Sequence, residues 1–252
     1  MARQAARESD RAETPAGSAG NGGRRVSARD RVFDEICQWL LTGRIVPGRG
    51  VSLRGLAAEL GVSPMPVREA IHRLAAEQAL EIGPTGRIHV PAMSAARFEE
   101  IVKVRVLLEP ELAAMALPHI DKPALQALKA IDAGIDRSLE TGDVESYMRL
   151  NHDFHFGIYG AARSEVLLPL IESIWLQFGP FMRTVYGRMG TSHMVDQHER
   201  ALDAIAKGDA EGLKSAIAGD ILDGMRLLGL AIVGETDTAT AGNSNVTAFD
   251  KS

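Results

Sequence analysis

The stretch VSPMPVREAIHRLAAEQAL, residues 62–80, has the pattern of a helix whose outer face contacts a partner. Ser63 is a favourable N-cap residue, and the two prolines after it fall in the first turn, where a missing N–H is tolerated. An apolar stripe at i, i+3, i+4 and i+7 spacing consists of Val67, Ala70, Ile71 and Leu74. The side chains that point elsewhere are Met65, Arg68, His72 and Arg73. The pattern therefore predicts a helix with one buried face and one exposed, basic face.

The segments around this helix extend the prediction to a complete module. Upstream, SLRGLAAEL predicts a short helix that ends at Gly61, and residues 28–42 predict an amphipathic first helix. Downstream, residues 79–82 and 87–90 predict two short strands around a turn at residues 83–86. In this order the elements predict a winged helix-turn-helix, which binds DNA. The alternative is a small helical packing unit whose arginines are only solvated.

The second half of the chain has the pattern of helices separated by short breaks. The predicted helices span residues 94–116, 122–140, 144–159, 165–186, 193–207 and 210–230. Gly179-Pro180 is expected to kink or divide the fourth of these helices. We therefore expect a mainly α protein in which a DNA-binding domain (28–92) precedes an all-helical bundle (93–233). The polar ends, 1–27 and 234–252, are expected to be disordered tails.

Composition and charge agree with two domains that have different tasks. A chain of 252 residues that is 45% hydrophobic is long enough to bury two modest cores. Residues 1–92 carry 13 Lys and Arg against 10 Asp and Glu (+3), whereas the rest carries 15 against 23 (−8). A basic front and an acidic back favour a DNA-binding module joined to a domain with another function. With one cysteine, Cys37, and no bilayer-spanning or export segment, we expect a soluble cytoplasmic protein.

The most chemically pointed motif of the second half is RLNHDFHFGIY, residues 149–159. Asn151 and His155 are four residues apart and therefore share one face of a helix. Two more candidate ligands, His198 and Asp220, lie on later predicted helices. Imidazole, carboxylate and amide oxygen on facing helices are suitable ligands for a divalent metal ion. From spacing alone, a metal site and a set of ordinary surface or core histidines both remain open.

Arg105 is the second residue that the pattern marks, because it lies on an apolar helix face. The residues that share this face are Ile101, Leu108 and Leu112. An inward-pointing guanidinium would suit a carboxylate ligand, which it can bind with two parallel hydrogen bonds. The alternative is a surface ion pair with Glu109, four residues on. Further candidates for an effector pocket are Arg183 and Tyr186.

The front motifs support a resemblance to a known family. The run GRIVPGRGVSLRGLAAELGVSPMPVREAIHRLAAEQALEIGPTGRIHV resembles the DNA-binding domain of the GntR family of bacterial transcription regulators, over residues 29–90. The resemblance implies that DNA is approached by Arg54, Ser63, Met65, Pro66 and Arg68, with Gly86 at the wing tip. The family often has an arginine directly after the N-cap serine, where this chain has Pro64. One base or phosphate contact of the family is therefore expected to be missing.

The back motifs RVLLEPELAAMAL, NHDFHFGIYGAA and HERALDAIAKGDAE resemble the FCD ligand-binding domain of the FadR-like subgroup, over residues 97–230. That resemblance implies a metal held by an Asp or Asn and three histidines, and an arginine near Arg105 that holds an acidic effector. The matching ligands are Asn151, His155 and His198, but Asp220 stands where the third histidine is usual. A carboxylate there favours harder ions, so zinc, manganese and nickel all remain candidates.

The two resemblances together imply a ligand-responsive transcription regulator. It would bind double-stranded operator DNA as a homodimer and sense a small organic acid, with neither an enzymatic activity nor a membrane attachment. The main alternative is a metal-dependent helical hydrolase with an accessory DNA-binding-like domain. Against it, the histidine helix lacks an HExxH pairing, and no serine or cysteine nucleophile motif is present. A third alternative, a structural DNA-binding protein, leaves the acidic second half without a role.

Overall fold

The computed structural model of the protein describes residues 27–189 and 196–242, and for residues 184–189 and 230–242 it describes the backbone alone. The first predicted tail lies outside these ranges apart from Ser27, whereas residues 234–242 of the second lie inside them. Ser27, assigned to the first tail by the sequence, caps the first helix and accepts a hydrogen bond from the Asp30 amide. The last helix continues to Gly242, beyond its predicted end at residue 230.

The N-terminal domain is a winged helix-turn-helix, as predicted. Its helices are α1 (Ala28–Leu41), α2 (Leu53–Glu59) and α3 (Pro64–Ala76), and its strands are β1 (Glu81–Ile82) and β2 (Ile88–His89). The strands are antiparallel, with Ile82 opposite Ile88, and they are shorter than predicted. Ile88 also forms a bridge with Val51, in the loop before α2. The predicted apolar stripe of α3 is buried, because none of its four side chains is more than 4% exposed.

The start of α3 differs from an ordinary capped helix. Ser63 stands at the N-cap with an extended backbone, but its hydroxyl makes no capping hydrogen bond. An N-cap side chain accepts from the N–H of the second or third helical residue, and the third, Pro66, has no N–H. The Ser63 hydroxyl is therefore left for another partner. Because Pro64 also lacks an N–H, this helix end offers a phosphate fewer amides than most.

The C-terminal domain is an all-α bundle, as predicted. Its helices are α4 (Ala95–Ala116), α5 (Lys122–Thr141), α6 (Val144–Tyr159), α7 (Leu167–Met189), α8 (Gln197–Lys207) and α9 (Ala210–Gly242). The most extensive pairings are α4 with α9, α5 with α6 and α8 with α9. Polar side chains meet in the interior between α4, α6, α8 and α9. Within the described ranges, no helix has the length and apolar character needed to cross a bilayer.

Helix α7 of the C-terminal domain also packs against α1 of the N-terminal domain. The predicted division at Gly179-Pro180 does not occur, because α7 is one helix with Pro180 inside it. Gly179 has a packing role instead: a Cβ at this position would lie 3.2 Å from the Cα of Leu41 in α1. The missing side chain thus allows α7 to lie directly against the end of α1. Nearby, the Arg183 guanidinium donates to the Thr42 carbonyl, 3.3 Å away.

Candidate functional site

The residues predicted to approach DNA lie on the surface of the N-terminal domain. Pro66 is half-buried, and the others are exposed: Arg54, Ser63, Met65, Arg68 and Gly86. Arg54 and Arg68 form no ion pair or hydrogen bond with any residue that the structure describes. Guanidinium groups without internal partners are free to bind phosphate oxygens or the major-groove edge of guanine. These two arginines therefore form the available part of the basic face.

Arg73, which the sequence placed on the same exposed face, is occupied elsewhere. Its guanidinium carbon lies 3.6 Å from the centre of the Phe33 ring of α1, and its Nε lies 3.5 Å from a Glu77 carboxylate oxygen. Stacking on an aromatic ring and pairing with a carboxylate both hold the side chain towards α1. The basic face is therefore narrower than the helical pattern predicted.

The wing tip has the backbone geometry that its glycine suggested. Gly86 has a positive φ of 73°, which side-chain-bearing residues rarely adopt, and it is exposed. The turn is closed by the Gly83 amide, which donates to the Arg87 carbonyl at 2.8 Å. The Arg87 guanidinium donates to the Gly50 carbonyl at 2.9 Å, so the wing is fixed to the loop before α2. A tip without a side chain can approach the floor of a groove closely.

The predicted metal ligands meet inside the C-terminal bundle. His155 of α6, His198 of α8 and Asp220 of α9 each place a ligand atom within 4.8 Å of the others. Asn151, one helical turn before His155, lines the same cavity as Asp220. Three helices thus bring together three of the four residues that the sequence proposed, and the fourth, Asn151, lines the adjoining cavity.

The unpaired ring nitrogens of this cluster fit a metal ion. Nε2 of His155 and Nε2 of His198 are both buried, and neither has a hydrogen-bond partner among the described residues. Asp220 Oδ2 lies 3.0 Å from His155 Nε2, but outside the direction in which an N–H at that nitrogen would point. Asp220 Oδ1 lies 3.6 Å from His198 Nε2, which is too far for a hydrogen bond. Buried polar atoms without partners are costly, and an ion held by two imidazoles and a carboxylate would satisfy them.

The electrostatics of the cluster favour the metal-binding forms of His155 and Asp220, but not that of His198. Burial lowers the pKa of His155, which favours the neutral ring. Burial acts against ionisation of Asp220 too, but both histidines outweigh it and lower the pKa of Asp220 to about 2. For His198, burial is outweighed by the nearby carboxylates of Asp132 and Asp220, which raise its pKa. Asp132 Oδ1 lies 3.3 Å from His198 Nδ1, so it orients the ring from the side away from the cluster.

A small cavity of about 50 Å³, partly open to solvent, borders this cluster. Arg105, Asn151 and Asp220 line it together with the aromatic residues Trp175 and Phe178. The Arg105 side chain points inward and is only 4% exposed, and the ion pair with Glu109, at 2.6 Å, forms in the interior and not at the surface. A cavity with a guanidinium at its wall and a candidate metal centre at its edge can hold a small acid.

Of the other two pocket candidates, Arg183 is not brought to this cavity. Arg183 is exposed and contacts the end of α1, about 100° round the helix from its cavity-lining neighbour Met182. The side chain of Tyr186 lies outside the described residues. Conversely, the sequence did not single out Tyr159, although it follows His155 by one helical turn and is fully buried beside it. The same i, i+4 spacing was the signal available for it.

Comparison with known proteins identifies both domains. Residues 28–90 match the family model of bacterial regulatory proteins of the gntR family, and residues 100–222 match the FCD domain. A relative from Agrobacterium vitis is an uncharacterized HTH-type transcriptional regulator in the TAR-I ttuE-ttuC' intergenic region. It is 32% identical over 144 residues, which are 56% of this chain and 82% of that protein.

Two further relatives match over most of their length. The HTH-type transcriptional regulator McbR of Escherichia coli (strain K12) is 27% identical over 198 residues, which are 77% of this chain and 90% of that protein. The solved structure of E. coli McbR/YncC superimposes with a TM-score of 0.75 at 27% identity, covering 81% of this chain and 97% of that chain. A probable D-xylose utilization operon transcriptional repressor of Paenarthrobacter nicotinovorans is 26% identical over 77% of this chain and 85% of its own. The chain therefore belongs to the GntR family of DNA-binding bacterial transcription regulators, with an FCD domain as its C-terminal half.

Proposed function

We propose that the protein is a dimeric regulator that binds operator DNA and responds to a small organic acid held beside a divalent metal ion. The observation that carries the proposal is the cavity lined by Arg105 and by Asp220, which belongs to the cluster of His155, His198 and Asp220. An acid is the ligand class that suits both groups, because a carboxylate can coordinate the ion and pair with a guanidinium.

The DNA part of the proposal rests on the exposed arginines. Arg54 on α2 and Arg68 near the start of α3 have no partners in the described part of the chain. The Ser63 hydroxyl makes no capping hydrogen bond. In a winged helix-turn-helix, the start of the recognition helix, which is α3 in this chain, enters the major groove. Arg68 is therefore assigned to the groove, Arg54 to the neighbouring backbone and Gly86 to the minor groove. Met65 and Pro66 would contact the same groove through apolar surface.

The metal assignment follows the donor set. Two imidazole nitrogens, one carboxylate and the Asn151 amide oxygen form a mixed nitrogen and oxygen site that suits zinc, manganese or nickel. Such a site would leave coordination positions open on the cavity side, where the acid docks. The effector would then be sensed through its contacts with the ion and with Arg105. Relatives over most of the chain are named as regulators, which favours this reading over a hydrolase.

The dimer is supported by exposed apolar side chains on neighbouring helices. Leu107 and Met115 of α4 are 59% and 49% exposed, and Leu170 of α7 is 51% exposed. Helices α4 and α7, which carry these side chains, pack against each other. A second copy of the chain would cover them and would present two DNA-binding domains to two half-sites. Sedimentation of the intact chain as a monomer at micromolar concentration would contradict the dimer.

The metal site is tested by the metal content of three histidine variants of the intact chain. His155→Ala and His198→Ala should lose the ion and should bind acids more weakly. His152→Ala is the matched control, because its ring lines the same cavity but stacks on Phe156, with 4.2 Å between ring centroids. It should keep the ion. Equal metal content in all three variants would contradict the assignment.

A further inference from the structure

A buried chain of hydrogen bonds runs from Arg105 to the far side of His155. The Glu109 carboxylate is fully buried, and it accepts from Arg105 Nε at 2.6 Å and from Trp175 Nε1 at 3.2 Å. Its other oxygen accepts from the Tyr159 hydroxyl at 2.8 Å. The same hydroxyl lies 3.0 Å from His155 Nδ1. Four buried side chains from three helices are therefore connected behind the candidate metal ligand.

The direction of these hydrogen bonds fixes where the proton of His155 lies. Glu109 is paired with a guanidinium and has only acceptor oxygens to offer, so the single Tyr159 proton points to it. The hydroxyl oxygen must then accept, and its remaining neighbour is Nδ1 of His155. Nδ1 therefore carries the imidazole proton. In a neutral ring, Nε2 is then left with a lone pair that can bind an ion; Asp220 Oδ2 lies 3.0 Å from it, outside the geometry of a hydrogen bond.

We propose that Tyr159, held in place by Glu109, is a positioning residue of the metal site. Its hydroxyl oxygen accepts a hydrogen bond from Nδ1–H of His155, and this keeps Nε2 free to bind the ion. The inference rests on the proposed metal site and adds the residues that prepare it. Partners behind a ligating histidine fix its tautomer and ring orientation, and their loss typically weakens metal binding by about 10–100-fold. For His198, Asp132 occupies the equivalent place behind Nδ1.

The first test is metal affinity of the intact, metal-stripped chain, measured by titration with Zn²⁺ and with Mn²⁺. Tyr159→Phe keeps the ring and its packing but removes the hydroxyl, and it should weaken binding of the ion by about 10–100-fold. Ser138→Ala is the control, because it also removes a buried hydroxyl, one that donates to the Ile135 carbonyl of its own helix. This control should bind the ion like the unmodified chain.

The second test reads the tautomer directly. In the metal-free chain with ¹⁵N-labelled histidine, the ring-nitrogen shifts of His155, assigned by their loss in His155→Gln, should show the proton on Nδ1. In Tyr159→Phe, the proton should move partly or wholly to Nε2, next to Asp220, which a merely structural role of Tyr159 does not predict.

The outcomes separate this inference from the metal site itself. An unmodified chain that binds neither ion would overturn both. An unmodified chain that binds an ion while Tyr159→Phe binds it equally well would overturn the positioning role alone. A proton found on Nε2 of His155 in the unmodified chain would also overturn it, whether or not the variant folds.

Discussion

The DNA-binding face and the candidate metal centre hold their polar groups in opposite ways. Arg54 and Arg68 are exposed and without partners in the described chain, whereas Glu109 and His155 are completely buried within a network of side chains. An exposed group contributes little to folding and can be used entirely for binding. A buried charged group contributes to binding only while its partners remain, because its desolvation must be compensated in the folded protein. Substitutions at the two sites should therefore fail in different ways.

The largest effect should come from breaking the buried ion pair. Glu109→Ala removes the carboxylate that pairs with Arg105, and we expect the free energy of unfolding to fall by roughly 3–5 kcal/mol. Arg149→Ala is the control, because it breaks an ion pair of the same i, i+4 spacing that is exposed, and it should cost at most about 1 kcal/mol. Urea denaturation measures both. Similar midpoints for the two variants would remove the distinction between the sites.

The next effect should appear in DNA binding without a loss of stability. Arg68→Ala and Arg54→Ala should each weaken operator binding by about 1–3 kcal/mol while the urea midpoint stays unchanged. Arg73→Ala is the control on the same helix, since its guanidinium stacks on Phe33 rather than facing DNA. It should bind operator DNA like the unmodified chain. Operator binding weakened by Arg73→Ala as much as by Arg68→Ala would mean that the DNA-binding face is assigned wrongly.

The difference between the sites also explains what the sequence could predict. The stripe of α3 is a local pattern, so the periodicity of residues 62–80 was enough to predict the helix and its buried face. His155 and Asn151 are likewise related by local spacing. Asp132 gains its role only when separate helices meet, so no short pattern marked it as a partner of His198. Tyr159 has the same local spacing from His155, but its role also depends on Glu109 of another helix. The position of Arg183 depends on which face of α7 is turned towards α1 and which towards the cavity. Helical spacing alone does not fix this rotation.

The unbroken course of α7 has a similar explanation. A glycine followed by a proline usually weakens a helix, and this predicted a kink or a division at Gly179-Pro180. In the folded protein, the glycine is used for the close approach to Leu41, so the packing between domains is gained without interrupting the helix. The same pair of residues thus has a tertiary role that its local propensity hides.

A smaller effect, on the coupling between acid binding and DNA binding, is expected where α7 contacts the end of α3. Gln177 donates to the Glu77 carbonyl at 3.1 Å and accepts from Arg97 at 2.8 Å, while Trp175 of the same helix lines the cavity. Gln177→Ala should leave acid binding intact but reduce the effect of the acid on operator affinity, by about 0.5–1.5 kcal/mol of coupling.

The control for this contact is Gln197→Ala, which removes a partly buried hydrogen bond to Asp223 within the C-terminal domain. It should leave the coupling unchanged. If the two variants respond to the acid alike, the contact between α7 and the end of α3 does not transmit the signal.

The central claim, that an acid bound at the metal centre controls DNA binding, is tested most directly by one titration. Operator affinity of the intact chain is measured with a panel of small carboxylic acids, before metal removal, after chelation and after the ion is restored. We predict that an active acid changes operator affinity by about 5–150-fold, that chelation abolishes the change, and that the restored ion brings it back. An acid response that is the same in the metal-loaded and metal-free chain would contradict the claim.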